Sequence, residues 1–308
     1  MIETSLETPT PRSTGWKAQG GGQIIAVINL ASGGAGAQSA ERITQVFAAA
    51  GLGGTEVNCV EPAGIEEALT QAVERAEVVV TLGGDGTIRA AAAKCGRAGK
   101  LLIPLAGGTM NMLPRAIYGP IAWDQALAAT LADPAVREIS GAEAEGRRFF
   151  CAAIFGAPSL WADAREALRH GHLFEAVKRS AAAARRSGEP LTYSIGDGAP
   201  SSAEAVVILC PLISMALAPE EAAMEAAALP SVAAGPMFRL AFHAVFDDWR
   251  REASLALAKT QAVRISGRGR VPVILDGEKA HMGRAISVRF LPSAFRALVP
   301  RDQGARST

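Results

Sequence analysis

Three short glycine-rich segments carry the residues of this chain that are best suited to hold phosphate. They are NLASGGAG at 29–36, GGDGT at 83–87 and GGTMN at 107–111. Glycine lets a backbone approach a ligand closely, so that amide N–H groups can converge on phosphate oxygens. Each segment follows an apolar run typical of a strand, and a following helix would add the partial positive charge of its N-terminus. Together they predict a nucleotide-binding site, whereas one such loop alone is often only a tight corner.

The second segment also places a carboxylate, Asp85, at the end of a predicted buried strand. That carboxylate could bind Mg²⁺, a ribose hydroxyl or a reacting hydroxyl. Alternatively, Asp85 or Thr87 caps the helix predicted to begin near Ile88. Neither a Walker A sequence nor a GxGxxG loop is present, so backbone amides must hold most of the phosphate. The side chains expected to assist them are Ser32, Thr87 and Thr109, with Arg89 or Arg115 as nearby cations.

A further acidic motif, Asp276-Gly277-Glu278, occurs late in the chain within VPVILDGEKAH. Asp-Gly between two apolar runs is a strong signal for a two-residue hairpin turn. The local pattern by itself therefore favours a structural turn over a functional site.

The elements that must position these loops alternate regularly in the first half of the chain. Apolar runs at 24–30, 55–60, 78–82 and 101–106 predict strands. Helices are predicted up to Ala50, over Ile65–Arg75, and from Ile88 to a stop at Gly96 or Gly99. Repeated βα units predict a doubly wound α/β domain, over residues 22–139, whose parallel sheet binds ligands at the carboxyl ends of its strands.

After about Ile139 the apolar runs become shorter, which predicts a β-rich domain over residues 140–300. One long helical stretch, Trp161–Arg186, interrupts it, and the Ala-rich segment EEAAMEAAAL at 220–229 also predicts a helix. Residues 1–21 are expected to form a flexible leader and 301–308 a tail. The β-like runs are RRFFCAAIF, LTYSI, AEAVVILCPL, MFRLAFHAVF, AVRISG, VPVILDG and AISVRFL.

Composition narrows the classes of function. The 308 residues are 49% hydrophobic, and 31 basic against 30 acidic residues give a net charge of +1, so no global field favours nucleic acid. Four cysteines without a CxxC pair suit a reduced, cytoplasmic chain, and the longest apolar run, 205–218, is too short to span a membrane. Basic residues on the long helix form a solvated face by default, with docking on anionic lipid as the alternative. The oligomeric state stays open.

GGDGT, GTMN and the late DGE, in this order and spacing, resemble the bacterial diacylglycerol kinase catalytic-domain family, which includes sphingosine-kinase-like lipid kinases. The resemblance covers most of residues 23–300. NLASGG resembles that family's NPxSG loop, and GGTMNMLPR resembles its GTxNDFAR segment. LDGEKA resembles the DGE motif near the end of the family's sequences. GGDGT is shared with NAD kinases, and the DGE motif selects the lipid-kinase branch.

The resemblance implies an α/β nucleotide-binding domain, a β-rich substrate domain and a cleft between them. It also implies an ATP- and Mg²⁺-dependent kinase that phosphorylates a hydroxyl of a lipid or lipid-like alcohol. Peripheral contact at the inner membrane surface stays open. Asp276 would be the catalytic base, Asp85 its rival for that role, and Glu278 a metal or substrate contact. The residues implied to contact ATP or its metal are Asn29, Ser32, Gly33, Gly83, Gly84, Asp85, Gly86, Thr87, Gly108, Thr109 and Asn111.

The first half of the chain departs from the family pattern at three places. The Glu of GGDGTxxE is missing from IRAAAAKC at 88–95, Met112 replaces the Asp of NDFAR, and Leu30 replaces the Pro of NPxSG. These changes leave open a weak or inactive member that binds nucleotide or lipid. An NAD kinase-like enzyme is a further alternative, disfavoured by the DGE motif and by the lack of an NE dipeptide after the second glycine-rich loop.

Overall fold

The computed structural model describes residues 23–34, 38–156, 190–218, 221–229 and 256–301. In its first part, buried strands alternate with helices. The strands are β1 (Ile24–Asn29), β2 (Glu56–Val60), β3 (Val78–Gly83) and β4 (Leu101–Ala106). The helices are α1 (Ser39–Ala49), α2 (Ile65–Arg75), α3 (Asp85–Ala98), α4 (Met112–Tyr118) and α5 (Trp123–Ala132), with a short 3-10 turn at Pro62–Gly64.

The second part is built from strands. They are β5 (Pro134–Ala144), β6 (Arg147–Phe149), β7 (Ala152–Gly156), β8 (Leu191–Ile195), β9 (Ser201–Ala203), β10 (Ala205–Leu209), β11 (Met224–Leu229), β12 (Ala256–Thr260), β13 (Ala262–Ser266), β14 (Val271–Leu275), β15 (Glu278–Met282) and β16 (Ala285–Pro300). Those of the sheet ordered β12-β11-β10-β7-β14-β15 pair antiparallel throughout. The predicted fold class, an α/β region followed by a β-rich region, is confirmed.

The first sheet begins as a parallel sheet in the order β2-β1-β3-β4. Its strands β1 and β3 are mostly apolar, and all their residues except Asn29 are buried, as expected for parallel strands covered by helices. Helix α2 has the predicted bounds. Helix α3 begins at Asp85, three residues before the predicted start, because the GGDGT segment itself forms its first turn.

Helix α3 ends at Ala98, just before Gly99, one of the two glycines predicted to stop it. Gly99 follows the last helical residue with φ +66°, the left-handed conformation that glycine adopts without strain. The other predicted stop, Gly96, is wrong as a helix end, because it lies inside α3.

The Ala-rich segment predicted as a helix is a strand from residue 224 onward, so that prediction is wrong. Strand β11 pairs antiparallel with β10 on one side and β12 on the other. Its alanines at 226–228 are buried. Hydrogen bonding to two neighbouring strands outweighs the intrinsic helix propensity of Ala and Glu, which is worth only tenths of a kcal/mol per residue.

Strand β16 connects the two parts of the first sheet. It runs parallel to β4 at Arg296–Ala297 and antiparallel to β5 and β13, with a register shift between Leu291 and Phe295. The predicted run AISVRFL therefore continues nine residues further, to Pro300. Five residues of its last part pack in the core of the parallel sheet: Ala294, Phe295, Ala297, Leu298 and Val299. Ile286 and Val288, near its start, pack in the core of the β-rich part.

Several predicted features lie outside the described residues. They are the leader, the long helix Trp161–Arg186 with its basic face, the run MFRLAFHAVF and all of the tail but Arg301. Among the helices of the described part, none combines the length and apolarity needed to cross a membrane.

Gly96 gives a direct test of this packing. A Cβ atom on Gly96 would lie 2.0 Å from the carbonyl oxygen of Ala294 in β16. Gly96→Ala should therefore lower the free energy of unfolding by about 1–3 kcal/mol, measured by urea denaturation, despite the better helix propensity of Ala. Gly269→Ala, in open space between β13 and β14, is the control and should change it by less than about 0.5 kcal/mol. Equal stability of the two variants would contradict the close contact.

Candidate functional site

The three glycine-rich loops meet at one edge of the parallel sheet. Strands β1, β3 and β4 are neighbours in that sheet, so the loops that follow them leave from the same side. The N–H of Gly34 donates to the Gly107 carbonyl at 2.8 Å, and the N–H of Gly107 donates to the Gly83 carbonyl at 2.9 Å. The N–H of Gly84 donates to Ser32 Oγ at 3.0 Å. Each loop is thus hydrogen-bonded to another.

Asn29 and Thr87 add a side-chain link between the first and second loops. Asn29 Nδ2 donates to Thr87 Oγ1 at 2.9 Å, and Asn29 Oδ1 accepts the N–H of Ala31 at 3.1 Å. Both residues are therefore placed at the predicted site, where they hold the loops in register.

The loops approach so closely that glycine is required at the contacts. A Cβ atom on Gly107 would lie 2.9 Å from Gly83 N, and one on Gly108 would lie 2.7 Å from Gly84 Cα. Real Cβ atoms do not approach backbone so closely, so any larger residue would push two loops apart. In contrast, Gly33 and Thr109 are exposed at the rim of the loops.

Asp85 orders the third loop. Its carboxylate is buried, and it accepts the N–H of Asn111 at 3.0 Å and the N–H of Met112 at 2.6 Å. The expectation that Asp85 or Thr87 caps the following helix is wrong: Gly84 is the N-cap of α3, and Asp85 satisfies orphan amides at the start of α4.

Asn111 completes the third loop. It adopts the left-handed conformation with φ +52°, which asparagine tolerates better than most residues. Its side chain accepts the N–H of Gly108 and donates to the Gly108 carbonyl, both at 2.7 Å. The loop from Gly108 to Met112 is therefore closed by its own hydrogen bonds and fixed to Asp85.

The DGE motif forms the hairpin turn that its local pattern favoured. Asp276 and Gly277 have φ values of +46° and +85°, as a type I′ turn requires. Yet the Asp276 side chain is only 3% exposed. Its Oδ2 accepts the N–H of Phe150 at 2.8 Å, and its Oδ1 accepts those of Cys151 and Ala152 at 2.8 and 2.9 Å. The turn thus also fixes the bend between β6 and β7.

Burial dominates the electrostatics of the Asp276 carboxyl. Burial raises its pKa from the ordinary 3.8 to about 6, while the three amides and the positive charge of Arg89 act in the opposite direction. A carboxyl with a pKa near 6 exchanges its proton close to neutral pH, which suits a general base.

The turn of the second sheet and the loops of the first lie together. A Cβ atom on Gly86 would be 3.3 Å from Glu278 Cδ, so the first turn of α3 packs against the DGE motif. Burial raises the pKa of the Cys151 thiol, and the charges of Asp276 and Asp85 both raise it further. Both carboxylates therefore act on the same buried thiol, so Asp85 lies near the DGE turn.

The described residues do not offer a metal site of their own. No group of three or more His, Cys, Asp or Glu side chains is close enough to hold an ion in the described ranges. The carboxylates of Asp85 and Asp276 accept backbone N–H groups instead of converging on a common point. Mg²⁺ at a phosphoryl-transfer site is usually held by one or two carboxylates and by the substrate phosphates, so the nucleotide would supply most ligands of such an ion here.

Sequence reasoning missed how Asp276 is held, because the amides of Phe150–Ala152 lie more than 120 residues away in the chain. It named Arg89 only as a nearby cation. A signal for Arg89 existed, since a residue four positions after Asp85 on a helix shares its face.

The fold is that of a two-part protein with a glycine-loop site between an α/β region and a β-rich region. A solved structure described as a diacylglycerol kinase from Bacillus anthracis str. Sterne matches with a TM-score of 0.67 at 16% identity, covering 91% of this chain and 98% of that one. Another from the same strain, described as a candidate diacylglycerol kinase, matches over the same shares at a TM-score of 0.66 and 16% identity. At such identity these structures show the fold.

Residues 23–143 match the family model of the diacylglycerol kinase catalytic domain. This match contains all three glycine-rich loops, and it confirms the resemblance to that family. No curated protein matches the chain.

The raised pKa of Asp276 predicts a pH dependence of stability. In the unfolded chain the carboxyl loses its proton near pH 4, and in the folded chain only near pH 6. Stability of the wild type relative to Asp276→Asn should therefore fall as pH rises from about 4 to about 6, by on the order of 3 kcal/mol, and level off above. Urea denaturation of both proteins between pH 4 and 8 measures this. A difference that grows with pH would mean that the amides dominate over burial.

Proposed function

We propose that this protein is an ATP-dependent kinase that transfers phosphate to a hydroxyl of a lipid or lipid-like alcohol. The observation that carries the proposal is the meeting of three hydrogen-bonded glycine loops with the Asp276 turn at the start of α3. Phosphoryl transfer needs a site for the nucleotide phosphates, positive charge near the transferred group and a group that accepts the proton of the hydroxyl.

The loops supply the site for the phosphates. Helix α3 is 14 residues long, and its N-terminus opens from the second loop, where backbone N–H groups and the helix dipole favour an anion. We assign ATP binding to this edge, with Gly33, Gly86 and Thr109 as contacts alongside the ordered residues of the loops. A Mg²⁺ ion would arrive on the nucleotide phosphates, because the described residues do not form a cluster that holds it.

Asp276 is the base in this proposal. A carboxylate has about four lone-pair sites, and backbone amides occupy three of those on Asp276. The remaining site lies on Oδ2, and a pKa of about 6 lets it accept a proton near neutral pH. Asp85 is the rival candidate for the base, and it also accepts backbone amides, from Asn111 and Met112. Glu278, beside Gly86, would contact the acceptor.

A lipid acceptor is supported by the family match and by apolar side chains next to the third loop. Met112, whose N–H binds Asp85, packs with Ile213 and Val207 against the small buried cluster of Ala152, Leu209 and Ala227. The half-buried side chains of Met112, Val207 and Ile213 would contact the hydrocarbon of the acceptor. The four cysteines are free thiols, which supports the cytoplasmic location expected from the sequence.

A second candidate is a family member that binds nucleotide without turnover. It is favoured by the lack of an acidic cluster in the described residues and by Met112, which stands where the family pattern has Asp. The nucleotide loops would be intact in such a protein, and only transfer would be missing.

The deciding experiment offers γ-labelled ATP with Mg²⁺ and lipid extracts in mixed micelles to the wild type and to Asp276→Asn. The wild type should label a lipid, and Asp276→Asn should lower the rate by about 10²–10⁴-fold while ATP still binds. Asp197→Asn is the control, because Asp197 is exposed in the turn after β8. It should label lipid at the wild-type rate.

Other outcomes separate the candidates. ATP binding without any labelled lipid would establish the binding protein. Wild type that does not bind ATP would overturn both candidates, and full activity of Asp276→Asn would move the role of base to Asp85 or Glu278.

A further inference from the structure

Arg89 has a buried donor without a partner. It lies on α3, four residues after Asp85 and therefore on the same face of the helix. The Nε atom of its guanidinium is buried without a hydrogen-bond partner. A buried donor left unsatisfied costs free energy, so it is an uncommon feature unless something binds there.

The surroundings of Arg89 are those of the proposed site. Its positive charge lowers the pKa of Asp276, which places the guanidinium near the DGE turn. Gly86, three residues earlier on the same face of α3, packs against Glu278. Arg89 thus shares a helix face with Gly86, and its charge acts on the Asp276 carboxylate of the turn.

Phosphoryl transfer needs positive charge beside the transferred phosphate. Among the described residues, the acidic side chains of this site do not form a cluster that would bind a metal ion to supply it. Charge on the three non-bridging oxygens of the transferred group must be neutralised, by metal ions or by arginine. Within the described residues no cluster of acidic side chains holds a metal. A guanidinium carries its charge at any physiological pH and presents planar donors that fit phosphate oxygens.

We propose that the Arg89 guanidinium binds the transferred phosphate and stabilises its charge, in the place that a protein-held metal ion would otherwise take. This rests on the proposed kinase function. The bond between the γ-phosphorus and the bridging oxygen of ATP breaks as the bond to the acceptor oxygen forms. The acceptor proton passes to the Asp276 carboxylate, ADP leaves, and Arg89 keeps its protons throughout.

The test compares Arg89→Gln and Arg89→Lys with the wild type. Titration calorimetry measures affinity for ATP and for ADP in EDTA, and the micelle assay measures kcat and KM. Arg89→Gln should weaken ATP binding about tenfold or more and ADP binding less than about threefold, because only ATP carries the γ-phosphate. Its kcat should fall by about 10³-fold or more, the lower range for a transition-state arginine. Arg89→Lys should recover part of both losses.

Lys94→Gln is the matched control, because it removes one positive charge from the same helix. Lys94 contacts Thr70 and Glu66 on α2 instead of the site. Its affinities and kcat should equal those of the wild type.

Three results would overturn the proposal. The first is wild-type ATP affinity and kcat in Arg89→Gln, and the second is wild-type ATP binding that requires Mg²⁺. The third is an equal loss of ATP and ADP binding with a lower midpoint of urea unfolding, which would make Arg89 a structural counterion of Asp276. Failure of the wild type to bind ATP at all would instead overturn the kinase function, and this proposal with it.

Discussion

Close approach of three loop backbones is the constraint on which the site depends. Gly107 stands at the centre, since it accepts a hydrogen bond from the first loop and donates one to the second. Where a Cβ atom would meet backbone at under 3.0 Å, as at Gly107 and Gly108, glycine alone preserves the spacing. The parallel order of β1, β3 and β4 brings the loops to one edge, and the glycines allow them to touch.

Two buried carboxylates, one on either side of the site, are held by hydrogen bonds from backbone amides. Asp85 accepts amides from the third loop, and Asp276 accepts amides from the bend before β7. Amide donors offset the cost of burying each carboxylate and fix a segment distant in sequence. In the second case burial still dominates, and the pKa of Asp276 stays raised. Asp276, which is catalytic in the proposed function, therefore also has a structural role. Arg89 is the positive charge that partly offsets the effect of burial on the pKa of Asp276.

Local patterns predicted the elements whose structure is decided locally. Helix α2 and the strands around β1, β3 and β4 follow from periodicity and apolar runs, and the loops that follow these strands were located correctly. Strand β11 was missed because pairing with two neighbours overrode alanine's helix propensity. The candidate residues of the site could be chosen from the sequence. The role of Asp85 as acceptor of the amides at the start of α4 could not. Its partners lie 26 and 27 residues away and depend on the left-handed conformation of Asn111.

Hydrogen–deuterium exchange of the wild type with and without ATP tests most directly whether these loops act as one phosphate site. Because the loops are hydrogen-bonded to one another, we expect ATP to slow exchange together in peptides covering 29–34, 83–89 and 107–112. Exchange in the distant strands β8 and β9 should stay unchanged. Protection confined to one loop, or protection away from the edge formed by β1, β3 and β4, would contradict a shared site.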